Sequence, residues 1–401
     1  MRILMLSHGY PPTLSGVTLV VQKLSRALVR RGHQVLVVTA SDRGDPYSDE
    51  DEGVQLERLR SINNPFWSKG RIPWAGTARL QQLIDDFRPD LIHSHENAIL
   101  SFQLLRLPKP AGVPRIASCY FLPRFVTHYL GGLRPLEKGI EAFAWKWGVS
   151  ILNRYDYVVF STPTHRQAFI RHGVDVPSTA ISNGLDTGRY YPADGQVEAE
   201  DIVNGYRLPP RPRILFVGRL MKDKKIDQLV EAMVPVCAQR EAHLLIVGKG
   251  DEHDDIVSLS HELGLEDNVH LLGYVPEGDL PGIYRSADLF AIASVAEVQS
   301  IPVLQAVATG LPIVAANAGA LPELVRPEQN GLLVPPDDPQ ALGEAILKIV
   351  ANPAYRAELG RESLDVARGH SNEETFRTFA QLYRDLVARA RPEEDTVKYP
   401  A

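Results

Sequence analysis

The chain has 401 residues, of which 44% are hydrophobic and 23% are charged, and its formal net charge is −6. This length exceeds what one hydrophobic core usually serves and predicts two domains. The negative charge argues against a general nucleic-acid-binding protein, which would be basic, and two cysteines, Cys119 and Cys237, provide no disulfide framework.

The N-terminus predicts a buried strand rather than a targeting segment. The apolar run in MRILML has about five residues, which is too short for the core of a signal peptide. No run approaches the ~18 apolar residues that a transmembrane helix needs. We therefore expect a cytoplasmic protein, with peripheral contact to the inner face of a membrane left open.

Short apolar runs alternate with helical patterns along the first half. A strand over 2–6 is followed by helical spacing over 17–32 and by a second strand over 34–40. Such alternation predicts a parallel sheet covered by helices. Further strands are expected at 91–95, 114–121 and 157–162.

The same alternation restarts at residue 213 and predicts a second, similar domain. Its strands are expected at 213–218, 243–248, 268–275, 288–294 and 311–316. We expect an N-terminal domain over 1–190, completed by a C-terminal helix at about 371–391, a second domain over 205–370, and a tail over 392–401. Both sheets are predicted to be doubly wound and to face a cleft, with ligands at the carboxyl ends of the strands.

The loop 216–225, FVGRLMKDKK, leaves a predicted strand and carries two cations. Gly218 allows a sharp turn, and Arg219 and Lys224 could both face an anion. A guanidinium fork and an ammonium together suit a diphosphate. The alternative is a basic loop that is simply solvated.

A second glycine turn, at Gly248, follows the next strand, but many strand–helix turns need glycine. The acidic run 251–255 comes after it. This run indicates the start of a helix rather than a metal site, because acidic residues at a helix start complement the helix dipole. We therefore expect no metal site.

The segment 294–316 is the most informative part of the chain. A helix is predicted to begin near Ser300 and Ile301, where backbone N–H groups form an anion site. Glu297 lies just before this helix and could accept hydrogen bonds from sugar hydroxyls. Gln305 lies further along, near a ribose if the phosphate is at the helix start. The alternative is an amphipathic helix whose polar residue faces solvent.

The order of short motifs resembles a known enzyme family. After the basic loop come VGKG, GYVP, an acid-x7-acid spacing occupied here by Glu297 and Gln305, GLPIVAANAGALPELV and NGLLV, while SHGYPPTLSGV and ISNGLDTGRYYP fit the first half. This order resembles the retaining, nucleotide-sugar-dependent glycosyltransferases of family 4 over nearly the whole chain. The resemblance implies the GT-B fold of two Rossmann-like domains facing a central cleft. EVQS and FLPRFVTHYL look most like members that glycosylate diacylglycerol or related lipids.

The resemblance also implies roles for individual residues. Arg219 and Lys224 match the pair that neutralises the donor diphosphate, Glu297 matches the acid that contacts the donor sugar, and these three form the predicted catalytic set. The wider donor-binding set is Gly16, Arg219, Lys224, Gly248, Val275, Glu297, Ser300, Ile301 and Gln305. Within it, Val275 falls where the main chain meets the nucleobase and Gly16 beside the diphosphate.

Two positions depart from the family pattern. Gln305 stands where an acid usually contacts the ribose hydroxyls, and an amide offers one accepting oxygen in place of a carboxylate. We expect this to weaken ribose contact by ~1–2 kcal/mol. Tyr120 stands where related lipid glycosyltransferases carry a histidine near the reacting carbon, and its phenol replaces part of that role.

The family transfers sugar with retained configuration, and the front-face route needs no enzyme nucleophile, metal or cofactor. The leaving diphosphate can take the proton of the acceptor hydroxyl itself. On the acceptor side we expect Tyr120, His128 and Glu96. UDP-glucose is the favoured donor and GDP-mannose the alternative; the acceptor is a lipid or glycan hydroxyl.

The stretch 133–155 predicts a helix in which basic residues are interspersed with aromatic ones. Lys138 and Lys146 accompany Phe143, Trp145 and Trp147, a composition that suits an anionic lipid surface. A core-facing helix with polar outer positions is the alternative.

Two other functions compete with glycosyl transfer. A degenerate relative could bind nucleotide sugar and serve as a partner subunit, which the departures at Tyr120 and Gln305 favour. A nucleotide-sugar epimerase on the same fold would need additional catalytic acids that the sequence does not identify.

Overall fold

The computed structural model describes residues 1–13, 15–63, 71–73, 76–96, 98–123, 134–192 and 202–391, except the side chains of 134–137. The chain divides into two compact units. Of the described residues, the first unit takes those up to 123, those from 134 to 182 and those from 373 to 391, and the second takes the rest. The chain therefore leaves the first unit after Ser182, ahead of the predicted limit at 190, and returns at Glu373.

The described residues contain a strand at each of the ten predicted positions and six further strands that the sequence did not predict. The strands are β1 (Arg2–Leu6), β2 (Gln34–Ala40), β3 (Tyr47–Asp51), β4 (Val54–Leu59), β5 (Ser61–Asn63), β6 (Arg71–Pro73), β7 (Leu91–Ser94), β8 (Arg115–Cys119), β9 (Tyr157–Phe160), β10 (Ser178–Ala180), β11 (Arg213–Val217), β12 (His243–Val247), β13 (Val269–Gly273), β14 (Leu289–Ile292), β15 (Ile313–Ala316) and β16 (Gly331–Val334). The helices are α1 (Gly16–Arg30), α2 (Thr77–Phe87), α3 (Ile99–Arg106), α4 (Arg134–Leu152), α5 (Pro163–Arg171), α6 (Ile226–Cys237), α7 (His253–Glu262), α8 (Leu280–Ser286), α9 (Ile301–Ala308), α10 (Leu321–Leu324), α11 (Pro339–Val350), α12 (Pro353–Arg368) and α13 (Asn372–Ala390).

The first unit is built on a sheet of order β10-β9-β8-β7-β1-β2-β4-β3. Its strands pair in parallel except for β3, which runs antiparallel to β4 at the edge. Strand β3 is not predicted from the sequence, because YSDED carries three carboxylates and lacks an apolar run. The strand order reverses beside β1, so a ligand crevice is expected where β1 and β7 end.

The second unit is built on a fully parallel sheet of order β13-β12-β11-β14-β15-β16. This is the doubly wound order, which reverses between β11 and β14. The two strands are direct neighbours, with Leu215 opposite Phe290. The loops that follow them must therefore begin side by side, and these are the two loops on which the sequence analysis placed its charged candidates.

Helices cover both faces of each sheet, so the central strands are buried. Ile214, Leu215 and Phe216 in β11 are 0% exposed, as are Leu289 and Phe290 in β14. Burying one such side chain contributes ~1.5–3 kcal/mol relative to leaving it in water. The strands consequently provide a rigid base for the loops at their ends.

The last described helix, α13, packs on the first sheet. Phe376, Phe379, Tyr383 and Leu386 are buried in one cluster with residues of β1, β2 and α1. The C-terminal helix that the sequence predicted at about 371–391 is thus present, and its buried residues join it to the first unit. No helix in the described part of the chain combines the length and apolar character needed to cross a bilayer.

Candidate functional site

The loops that follow β11 and β14 meet through an ion pair. Lys224 lies in a short 3-10 turn, and its Nζ donates to Oε1 of Glu297 at 2.7 Å. A carboxylate oxygen of Asp223 lies 3.3 Å from the same nitrogen. The side chains of Lys224 and Glu297 are only 15% and 11% exposed, so this pair is screened less by solvent than a surface pair would be.

The pKa of Lys224 is raised. Burial lowers it, but the charges and hydrogen bonds of Glu297 and Asp223 outweigh that effect. The ammonium therefore remains charged at neutral pH. Of its three N–H donors, two are directed at carboxylates and the third can serve an anionic ligand.

Glycines allow the strand-end loops of the second unit to approach each other closely. Gly248 has φ +143°, and a Cβ there would lie 1.8 Å from the carbonyl oxygen of Gly218. A Cβ on Gly250 would lie 2.1 Å from the carbonyl oxygen of Leu220. A third glycine, Gly319 (φ +56°), leaves room for the backbone of Glu297. The carbonyl of Glu297 accepts the Ala320 N–H at 3.0 Å, which holds this part of the loop in place.

Helix α9 begins where the sequence predicted, with Ser300 as its N-cap. The Ser300 hydroxyl accepts the N–H of Val303 at 3.4 Å, and Pro302 has no N–H to offer. The first turn therefore leaves fewer amides for an anion than a helix start without a capping side chain and proline. Those of Ser300 and Ile301 are the candidates, and Ile301 itself is half-buried.

Gln305 is held by a tyrosine rather than pointing freely into solvent. Its Oε1 accepts a hydrogen bond from the Tyr284 hydroxyl at 2.9 Å. Tyr284 is 0% exposed, and Gln305 is half-buried. The alternative of a solvent-facing polar residue on an amphipathic helix does not describe this position.

The other predicted donor-side residues have different surroundings. The Val275 side chain is buried in the core of the second unit, so only its main chain could meet a base. Arg219 is exposed, although it is engaged in an interaction within the chain. The acidic run after Gly248 starts α7, with Asp254 and Asp255 in its first turn, as predicted.

Sequence reasoning missed two groups at this site. Asp223, which lies beside Lys224, is buried, although the basic run KDKK suggested only cations. Gln299 is also buried, and its Oε1 accepts the Asn183 N–H at 2.7 Å. Asn183 belongs to the ISNGLD motif, which was recognised, but nothing local indicates its partner 116 positions away.

Gly16 is the first residue of α1, at the corresponding edge of the first unit. It is exposed, and a Cβ there would meet nothing within 4 Å. Ser15 caps this helix, accepting the Thr18 N–H while the Thr18 hydroxyl accepts the Ser15 N–H. The glycine is therefore not required by local packing, which is consistent with the predicted ligand contact.

Glu96 serves the start of α3. Its Oε2 accepts the Ser101 N–H at 2.9 Å, and the amides of Ala98, Ile99 and Leu100 also face its carboxylate. Burial raises the pKa of Glu96, and these amides oppose the rise. The structure thus favours a helix-capping role over the predicted contact with an acceptor.

Tyr120 ends a buried chain of hydrogen bonds at the carboxyl edge of the first sheet. Its hydroxyl lies 3.0 Å from Nδ1 of His95 and also bonds Ser118. Ser118 Oγ is 2.9 Å from Nε2 of His93, whose Nδ1 is 2.5 Å from the Tyr383 hydroxyl. The phenol is thus held in one orientation, and burial raises its pKa, so it is a neutral hydrogen-bonding group.

Lowering the pH from 7 to 5 is expected to destabilise the first unit through His95. Burial lowers the pKa of His95 to about 3, whereas an unfolded histidine titrates near 6.5. Below about pH 6.5 the unfolded chain binds the additional proton, so stability falls by about 1.4 kcal/mol per pH unit for this residue until its folded pKa is reached. Urea unfolding at both pH values, followed by tryptophan fluorescence, measures this, because all four tryptophans precede residue 148.

A His95→Gln variant should show a smaller stability difference between pH 7 and pH 5 than the parent chain. His261→Gln, an exposed position on α7, is the matched control and should leave the difference unchanged. If the stability difference between pH 7 and pH 5 is the same in His95→Gln as in the parent chain, this imidazole is protonated in the folded state at pH 5, as it is in the unfolded chain.

His128 lies outside the described residues, so its acceptor-side role stays a prediction. Over the ranges that the structure describes, no group of three or more His, Cys, Asp or Glu side chains is arranged to hold a metal ion.

Two family models match the chain and together cover most of it. The model "Glycosyltransferase Family 4" matches residues 14–189. The model "Glycosyl transferases group 1" matches residues 200–365. The first match therefore contains β2 to β10 but not β1. The second match contains every strand of the second sheet.

Named relatives extend the likeness over nearly the full length. The D-inositol 3-phosphate glycosyltransferase of Salinispora tropica is 29% identical over 406 residues, covering 94% of this chain and 82% of the relative. The alpha-monoglucosyldiacylglycerol synthase of Acholeplasma laidlawii is 25% identical over 401 residues, covering 96% and 98%. Among solved structures, sucrose-phosphate synthase from Thermosynechococcus elongatus matches with a TM-score of 0.81 and 26% identity, covering 97% and 99%.

Proposed function

Because the chain belongs to glycosyltransferase family 4 and has the GT-B fold of that family, we propose that it moves a sugar from a nucleoside diphosphate sugar to a lipid or glycan hydroxyl, with retention of configuration. The observation that supports this most is the contact between Lys224 and Glu297 at the switch point of the second sheet. A cation and a carboxylate there suit the two ends of such a donor, its phosphates and its sugar hydroxyls.

The proposed reaction uses the substrate's own groups for proton transfer. The acceptor oxygen bonds to the anomeric carbon on the face from which the diphosphate departs, and the acceptor proton passes to the departing phosphate oxygen. Lys224, Arg219 and the amides at the start of α9 stabilise the negative charge that develops. Glu297 accepts hydrogen bonds from the sugar. No metal and no cofactor take part in this scheme.

UDP-glucose is the proposed donor, and GDP-mannose is the alternative. The family resemblance supports UDP, and the name of the Acholeplasma relative supports a glucosyl group and a diacylglycerol-type acceptor. Thermal unfolding with UDP, GDP and ADP tests the base, because a ligand at 100 times its Kd stabilises the folded state by about 2.7 kcal/mol.

Transfer is tested with labelled UDP-glucose and GDP-mannose and with diacylglycerol as acceptor. Appearance of labelled glycolipid supports the proposed function. Stabilisation by a nucleotide without transfer or hydrolysis of its sugar would support the binding-subunit alternative. If no nucleotide stabilises the protein, the proposed donor site is wrong.

We further propose that α4 contacts an anionic membrane surface, because its aromatic residues divide between two environments. Trp145 stacks on His172 at 3.6 Å and packs on Phe169. By contrast, Phe143 is 69% exposed and Trp147 is 37% exposed. The exposed pair accompanies Lys138 and Lys146 on the same helix, which is the composition of an interfacial helix.

The double substitution Phe143→Ser and Trp147→Ser is expected to weaken binding to anionic vesicles by at least about tenfold, since each aromatic side chain loses apolar burial in the lipid. Co-flotation with vesicles containing phosphatidylglycerol at low salt measures this. Phe102→Ser, at an exposed phenylalanine on α3, is the control and should bind as the parent chain does. Equal binding by all three proteins would remove α4 from the membrane contact.

A further inference from the structure

We propose that the nucleotide site does not distinguish ribose from 2′-deoxyribose, so that its donors include 2′-deoxynucleoside diphosphate sugars. This inference rests on the proposed function and concerns the same site. It is carried by the hydrogen bond between Tyr284 and Gln305, which determines what the residue at position 305 can offer a ligand.

Tyr284 is held firmly in the core of the second unit. Its ring is fully buried, lies edge-on to Tyr190 with centroids 5.7 Å apart and is stacked on Phe290 at 6.0 Å. A ring packed in this way cannot swing its hydroxyl aside without opening the core. The phenol is also neutral, because burial raises its pKa, so its O–H is a permanent donor to Gln305.

The tyrosine therefore takes one of the two accepting lone pairs on Oε1 of Gln305. A glutamine amide has one oxygen and one NH₂ group, on two branches of a plane. With Oε1 directed at the Tyr284 hydroxyl, the NH₂ group forms the other branch, and within the described residues the structure gives it no protein partner. Position 305 thus presents two N–H donors and at most one neutral accepting lone pair, in place of the several charged accepting lone pairs of a carboxylate.

The placement of Gln305 on α9 brings the pentose ring of a bound nucleotide within reach. Gln305 lies four positions after Ile301, which corresponds to about 6 Å along a helix axis. If the phosphates lie at the start of α9, the pentose attached to them lies about one helical turn further along. Gln305 is half-buried there, so it has an exposed side from which to contact the pentose.

A hydrogen-bond donor at position 305 recognises the pentose differently from a carboxylate. A carboxylate accepts charge-assisted bonds from both ribose hydroxyls, and removing the 2′-hydroxyl leaves a charged acceptor short of one partner. An amide NH₂ group instead donates to a ring-hydroxyl oxygen, and the 3′-oxygen remains when the 2′-oxygen is absent. Loss of the 2′-hydroxyl then removes at most one neutral hydrogen bond and strands no charge.

Matched nucleotide pairs test this directly. Isothermal titration of the full chain with UDP and dUDP, and with GDP and dGDP, gives the ratio of Kd values for each base that binds. We expect the deoxynucleotide to bind within about threefold of its ribonucleotide. A ratio above about tenfold in the parent chain would overturn the inference. If no ribonucleotide binds at all, the proposed function fails, and the inference fails with it.

Two variants test the assigned contacts. In Gln305→Glu the preference for the ribonucleotide is expected to rise to about tenfold or more, since a carboxylate regains acceptors. In Tyr284→Phe the amide oxygen is released, and the preference should also rise, to a lesser extent. Gln239→Glu, at an exposed position on the same unit, should leave the ratio unchanged. An unaltered ratio in Gln305→Glu would show that position 305 does not contact the pentose.

A substrate experiment completes the test. In the transfer assay with the parent chain, labelled dUDP-glucose is expected to support transfer within about threefold of labelled UDP-glucose in kcat/KM. Transfer from UDP-glucose with no transfer from dUDP-glucose would overturn the inference while leaving the proposed function intact.

Discussion

Replacing Lys224 by methionine is expected to lower the rate of sugar transfer by roughly 10²–10³-fold, the usual effect of removing one group that stabilises developing negative charge. The methionine keeps most of the side-chain length but removes the ammonium that bonds Glu297 and lies beside Asp223. Both carboxylates would then lie unpaired at the position proposed for the diphosphate. The measurement is kcat for transfer from labelled UDP-glucose at saturating acceptor.

The neighbouring Lys222→Met variant is the matched control. Lys222 lies in the same 3-10 turn but is exposed, so its loss should change kcat by less than about threefold. Lys224→Arg keeps the charge and should retain part of the activity. Full activity in Lys224→Met, with folding confirmed by circular dichroism, would remove this lysine from the proposed chemistry.

Substituting alanine for Gly248 is expected to destabilise the second unit by about 4 kcal/mol or more, or to prevent its folding. The added Cβ would lie 1.8 Å from the carbonyl oxygen of Gly218. The backbone φ of +143° at this position is one that residues other than glycine rarely adopt. Neither backbone can withdraw easily, because Gly218 N–H donates to Val247 and Gly248 N–H donates to Gly273. A single substitution of this size is exceptional and reflects a specific steric cause. Urea unfolding followed by circular dichroism measures it.

Gly264→Ala separates the steric clash from the backbone strain. Gly264 also has positive φ, +66°, but a Cβ there would meet nothing within 4 Å. Its substitution should cost about 1 kcal/mol, the range for a residue held in the left-handed region. Similar losses in the two variants would mean that the loops at Gly218 and Gly248 can separate without a large energetic cost.

The sequence predicted the main strands and the position of the charged loops for a clear physical reason. Central parallel strands are buried on both faces, so they stand out as apolar runs such as RILML and RILFVG. Once β11 and β14 are recognised as the strands that begin each half of a doubly wound sheet, the loops that follow them must be neighbours. The contact of Lys224 with Glu297 follows from this topology.

The contacts that refine the site could not be predicted in the same way. The bond from Tyr284 to Gln305 joins α8 to α9, and neither residue type nor local spacing indicates it. Glu96 was expected to contact an acceptor, yet its carboxylate faces the amides of α3, a choice that depends on where the loop before that helix turns. The division between half-buried Trp145 and exposed Trp147 depends on how α4 packs against its neighbours. Such details depend on tertiary packing, which periodicity alone does not encode.

The return of α13 to the first unit has a consequence for biosynthesis. When a ribosome has produced β1 to β10, the hydroxyl of Tyr383 that meets His93 and the aromatic side chains of Phe376 and Phe379 have yet to be translated. The nascent first unit therefore exposes an unfilled apolar groove during the time in which the whole second unit is synthesised and can fold. Order of synthesis and order of completion are thus reversed, and the half that emerges first is the last to be finished.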